Sequence, residues 1–124
     1  MSVTVAKTAG FCFGVRRAVE LAEEQAHEHG SIYAYGEIIH NMHEIERLEK
    51  MGVHTAHTIE EIPDGERVLI RAHGVPRAVY DAFRAKNCEI FDATCPFVHK
   101  IHRIVDEESR AGRLIVILGK EGHP

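Results

Sequence analysis

Apolar positions along the chain alternate between short runs and helically spaced sets. Val3-Thr4-Val5-Ala6 reads as a strand. Val15, Ala18, Val19, Ala22 and Ala26 fall on one face of a helix that ends near Gly30. Ser31 to Tyr35 is a second strand, and Met42 to Met51 a helix carrying Ile45 and Leu48 before a stop at Gly52. Thr58-Ile59-Glu60-Glu61 begins like a helix but is cut short by the turn signal Pro63-Asp64-Gly65. Arg67 to Arg71, with Val68-Leu69-Ile70 inside it, is the third main strand. Pro76 opens the next helix, where its missing N–H costs little, and Val79, Ala82 and Phe83 form that helix's apolar face. Cys88 to Phe91 is a short strand; Pro96 then opens a helix with Val98, Ile101, Ile104 and Val105 on adjoining rows. Arg113 to Leu118 is the last expected strand. Strands alternating with helices across short loops predict an α/β fold of repeated β-α units with a mainly parallel sheet. No helix follows the last strand to cover it, which reads as a cut through a larger α/β protein.

Composition narrows the setting. The 124 residues are 44% hydrophobic and 27% charged, an ordinary globular balance, with aromatics at 6% and no Trp. The core must therefore come mainly from Val, Ile, Leu and Ala. Fifteen Lys and Arg against nineteen Asp and Glu give a formal charge of −4, which excludes a generic nucleic-acid binder. An anionic ligand has to be held by a local site. The three cysteines are odd in number and lack C-x-x-C spacing, and no basic, apolar leader opens the chain. The aliphatic run Leu114 to Leu118 is too short to span a bilayer. The expectation is a cytoplasmic protein with reduced thiols and no membrane or nucleic-acid partner.

In open α/β sheets ligands bind beyond the carboxyl ends of the strands. The loops expected there each carry a cysteine or a histidine: Cys12, His40, His73, Cys95 and His123. Cys12 and Cys95 stand just before helix starts, where the helix dipole favours thiolate. Thiolates so placed are nucleophiles or soft-metal ligands. Cys88 is separated from Cys95 by seven extended residues, roughly 20 Å, and reads as structural. Of the ten histidines, His27 and His29 close a helix, and His43, His54, His57, His99 and His102 read as surface or packing residues. His40, His73 and His123 are the candidates to bind phosphate oxygens or a metal. Arg16 and Arg17 read as solvated helix charges. No dinucleotide fingerprint and no Walker loop occurs. These residues leave open a zinc site, a cysteine–histidine nucleophile and part of an iron–sulfur centre.

The loop sequences are more specific than their chemistry. Gly10-Phe11-Cys12-Phe13-Gly14-Val15, Gly36-Glu37-Ile38-Ile39-His40-Asn41, Arg71-Ala72-His73-Gly74-Val75-Pro76, Asp92-Ala93-Thr94-Cys95-Pro96-Phe97-Val98 and Gly119-Lys120-Glu121-Gly122-His123-Pro124 occur in that order. Together they resemble the LytB/IspH family, the 4-hydroxy-3-methylbut-2-enyl diphosphate reductases. The resemblance implies reductive dehydroxylation of an allylic diphosphate to isopentenyl and dimethylallyl diphosphate, the last step of the non-mevalonate isoprenoid pathway. It implies a [4Fe-4S] cluster with Cys12 and Cys95 as two of its three cysteine ligands. His40, His73 and His123 would hold the substrate diphosphate, and a ferredoxin or flavodoxin would supply electrons.

The family's fold is a trefoil-like arrangement of three α/β lobes. By that likeness residues 1–96 would form the first lobe and 97–124 the start of a second. The third cysteine, and a proton-relay glutamate expected just after Pro124, would lie beyond this chain, so a fragment inactive alone is the expectation. The competing readings are a zinc- or phosphate-binding α/β protein without redox activity, and a cysteine-dependent hydrolase.

Overall fold

Alternation along each strand divides the apolar side chains between two faces, and each face is then covered by helix. The computed structural model describes residues 2–119. Its strands are β1 (Ile32–Tyr35), β2 (Val53–Ala56), β3 (Arg67–Ile70) and β4 (Glu89–Asp92), all parallel, in the order β2-β1-β3-β4. Its helices are α1 (Phe13–His29), α2 (Met42–Lys50), α3 (Arg77–Ala85) and α4 (Pro96–Arg110). Ile32, Ala34, Val53 and Leu69 join Ala18, Val19, Ala22 and Ala26 of α1 and Leu48 of α2 in one core layer. Val68, Ile70 and Ala56 face the other way, onto Phe83 of α3 and Ile62 of the β2–β3 connection.

Chain direction explains this division. From the central pair β1 and β3, the step to β2 and the step to β4 run outward in opposite directions. Crossovers of one hand then place α2 and α3 on opposite faces. The burial of Leu48 in one layer and Phe83 in the other matches that arrangement. Burying each such side chain is worth about 1.5–3 kcal/mol.

The α/β class and parallel sheet agree with the sequence pattern, while three details differ. Val3 to Ala6 forms no strand; it pairs with no strand among the described residues, and Val3 and Val5 are 83% and 75% exposed. Arg113 to Leu118 likewise forms no strand, with Leu114 and Leu118 at 89% and 94% exposure. Hydrophobic patterning marks strand-competent segments, but a strand exists only as a hydrogen-bonded pair. Conversely, apolar patterning does not mark β2: its centre, His54-Thr55, is polar, and only Val53 and Ala56 are buried. It is an edge strand held by β1 through the register Ile32↔Val53 to Tyr35↔Ala56.

Candidate functional site

The order β2-β1-β3-β4 has one topological switch point, between β1 and β3, where the connections leave in opposite directions. The crevice beyond the carboxyl ends of such a pair is where open α/β sheets hold ligands. His40 lies in the turn after β1 and His73 in the turn after β3, so the two imidazoles flank this crevice, with ring centroids 6.5 Å apart. His40 Nδ1 donates to Glu37 Oε2 at 3.1 Å, which orients the ring; a carboxylate only accepts. Gly74, at φ +73°, lets the His73 turn press against Thr94: a Cβ there would lie 3.2 Å from Thr94 Cγ2 and 2.9 Å from His102 Cε1.

Two of the three cysteines reach the same edge. Cys12 is the N-cap residue of α1 and Cys95 the N-cap residue of α4, and neither thiol makes a side-chain capping bond. Asn41, by contrast, caps α2 properly, its side chain accepting from the N–H groups of His43 and Glu44. Cys12 is exposed, Cys95 is half-buried, and both are free thiols. Cys95 packs onto the first turn of α1: a Cβ on Gly14 would sit 2.8 Å from Cys95 Sγ. The glycine two residues after Cys12 is thus what admits the second thiol. The third cysteine, Cys88, packs instead against the layer containing Phe83 and Ile62, on the opposite face of the sheet from α1.

Hydrogen bonds beyond the strand ends hold these loops in register. Ala93 donates to the Ile70 carbonyl and Cys95 to the Ala72 carbonyl, both at 2.9 Å, so the β3–β4 pairing carries on to the residue before His73. Asp92 organises the turn: its Oδ1 accepts from Thr94 N at 2.8 Å and its Oδ2 from the Tyr80 hydroxyl at 2.9 Å. Burial alone would raise the Asp92 carboxyl, but hydrogen bonds from Thr94 and Tyr80 outweigh it and hold the group below its ordinary range. Arg17 donates to the carbonyls of Thr94 and Asp92 at 3.2 and 3.4 Å. The expectation of a solvated charge therefore fails for Arg17: its side chain is half-buried and engaged across elements, while Arg16 is exposed.

Of the five expected loops, those of His40, His73 and Cys95 follow strands of the one sheet, and Cys12 arrives through α1 rather than after a strand. His123 lies outside the described residues. Arg17, Asp92, Thr94, His99 and His102 line an open groove of about 1750 Å³ together with His73. Among the described residues no three His, Cys, Asp or Glu side chains group as a complete metal site. Two thiols at adjoining helix starts fit two corners of a thiolate-held metal group, and further ligands would have to come from elsewhere. No helix among the described residues is long and apolar enough to cross a membrane.

Comparison with known proteins matches residues 3–124 to the family model described as LytB protein. The chain is 42% identical over its whole length to a 4-hydroxy-3-methylbut-2-enyl diphosphate reductase of Clostridioides difficile, and 43% to one of Aquifex aeolicus. It spans 45% and 43% of those proteins. Among solved structures, that of (E)-4-hydroxy-3-methyl-but-2-enyl diphosphate reductase, the terminal enzyme of the non-mevalonate pathway, superposes with TM-score 0.85 at 43% identity. It is covered to 43% of its length, and the chain to 98%. The Plasmodium falciparum reductase superposes with TM-score 0.90 at 32% identity, covering 94% of this chain and 37% of that one.

Proposed function

Because the chain belongs to the LytB protein family, we propose that it carries the first part of a 4-hydroxy-3-methylbut-2-enyl diphosphate reductase, an iron–sulfur oxidoreductase of isoprenoid synthesis. The observation that carries this reading is the pairing of His40 and His73 across the β1/β3 switch point, with the Cys12 and Cys95 thiols delivered to the same edge by two helix starts. Cys12 and Cys95 would hold a [4Fe-4S] cluster, with a third cysteine supplied from outside these residues. When bound, the cluster supplies electrons and a Lewis-acidic iron for loss of the substrate hydroxyl.

The chain's own residues supply binding and orientation. His40 and His73, with His123, would donate to the oxygens of the substrate diphosphate, and Glu37 fixes the ring of His40 for this task. Concentrating the anion-binding groups in one crevice lets a chain of formal charge −4 take an anionic substrate. A ferredoxin or flavodoxin would deliver the electrons, and the reaction would take place in the cytoplasm. We place the lobe boundary at residues 96–97. In support, α4 contributes no buried residue and leaves Phe97, Ile101 and Ile104 exposed, as expected of an element whose partners belong to a second lobe.

The test is anaerobic reconstitution of the full reading frame with iron and sulfide, followed by Mössbauer spectroscopy and assay of allylic diphosphate reduction. Cluster uptake that is lost on changing Cys12 or Cys95 to Ser is the expected result. Uptake of zinc alone, or full reductase activity with both cysteines replaced, would overturn the assignment.

A further inference from the structure

The Asp92–Cys95 segment delivers one of the two thiols, and its N–H groups are tied to β3 or to the segment itself. Ala93 donates to Ile70 O, Thr94 to the Asp92 carboxylate, and Cys95 to Ala72 O. None of those bonds relates Cys95 to α1, the helix that Cys12 begins. Arg17 makes that connection. Its guanidinium reaches from α1 to the carbonyls of Asp92 and Thr94, which lie 75 and 77 residues away in the chain. A planar guanidinium can serve two carbonyls at once; an ammonium offers a compact charge without that fork. We propose that Arg17 is a positioning residue, clamping the β4–α4 segment to α1 and so fixing the separation of the Cys12 and Cys95 thiols. Its use in catalysis rests on the functional reading above, in which those thiols share one cluster; the clamp itself is a property of this chain.

The packing of Cys95 against Gly14 makes the clamp measurable. If Arg17 holds the segment down, removing it lets Cys95 lift away from α1 and become accessible. Cys88 provides an internal reference, because it packs in the other core layer, away from Arg17. Losing a hydrogen bond from a charged donor commonly shifts an opening equilibrium about tenfold.

The experiment is iodoacetamide alkylation of the reduced protein in chelator, with each cysteine followed by peptide mass spectrometry. Rates are compared at their high-pH plateaus, where both thiols are ionised and loss of a nearby positive charge no longer changes the thiolate fraction; its remaining effect on nucleophilicity is controlled by the charge-keeping Arg17→Lys variant. Arg17→Met should raise the ratio of Cys95 to Cys88 rates by about tenfold or more. Arg17→Lys, which keeps the charge and stem, should raise it roughly threefold, and it decides the matter alone if Arg17→Met does not fold. A ratio unchanged from wild type, including a parallel rise at both cysteines, overturns the proposal. Failure of the wild-type protein to take up an iron–sulfur cluster would sink the functional reading and leave this ratio as it is. An unchanged ratio would sink the clamp and leave cluster uptake untouched.

Discussion

Replacing Gly14 with Ala sets two effects of opposite sign against each other. Gly14 lies in the first turn of α1, and Gly→Ala within a helix ordinarily stabilises by about 0.5–1 kcal/mol, less near an end. Here the new methyl would stand 2.8 Å from Cys95 Sγ and 2.9 Å from Cys95 Cβ. Ordinary contacts are about 3.5–4 Å, so α1 and the Cys95 loop must separate by several tenths of an ångström. The loop cannot yield freely, because Cys95 N–H is bonded to Ala72 and Arg17 holds the carbonyl before it. Overpacking of this kind costs about 1–3 kcal/mol, which exceeds the helical gain. Gly14→Ala should therefore destabilise by about 1–2 kcal/mol, read as a lower urea midpoint at unchanged slope. Cys95→Gly removes both contacting atoms. In that background Gly14→Ala should become neutral or stabilising, giving a coupling of at least about 1 kcal/mol in the double-mutant cycle. A stabilising Gly14→Ala beside an intact Cys95, or additivity of the two changes, would refute the account of how the thiols are brought together.

Cys12→Ser should abolish cluster binding yet stabilise the metal-free protein by about 0.5–1 kcal/mol, since serine supplies the capping acceptor that the thiol does not; calorimetry of the metal-free protein checks it. Asp92 contributes pH-dependent stability. Its folded pKa lies below the ordinary value of 3.8, so that stability is present in full from about pH 5 upward and is lost as pH falls through the folded value. In urea titrations from pH 7 to pH 2, wild type should exceed Asp92→Asn in stability at neutral pH and lose that advantage under acid. A pH-independent difference would show that the Asp92 charge contributes nothing.

Local signals carry most of the fold and the loop placement of the candidate residues His40, His73 and Cys95, because both are local in origin; Cys12 reaches the same edge through α1 and not after a strand. Helix faces such as Ala18, Ala22 and Ala26 read directly from spacing, and the residue after a strand reads as a loop residue. Arg17 escaped because its partners are main-chain carbonyls distant in sequence, which no residue type announces. Spacing does not separate it from Arg16 either: at about 100° per residue both lie well off the stripe of Ala18, Ala22 and Ala26, and only the assembled fold half-buries Arg17. β2 and the two unformed strands escaped for a related reason. Pairing decides whether an extended segment becomes a strand, and pairing is a property of the assembled sheet.

The helix starts show where folding preference and chemistry part. Asn41 does for α2 what helix N-termini ordinarily require, whereas α1 and α4 begin at cysteines that cap nothing. Each omission forgoes about 1 kcal/mol that Ser, Thr, Asp or Asn would supply. A small hydrophobe would gain nothing at Cys12, which is exposed, while Cys95 is half-buried and packs against the α1 core layer. The proposed ligand role gives both cysteines a use that a capping side chain would not serve. Both thiols, moreover, stand at the edge of the sheet where the switch point opens and where His40 and His73 face each other. Two concessions in local stability thus stand at one crevice, as the proposed ligand role requires, and packing does not account for the exposed Cys12.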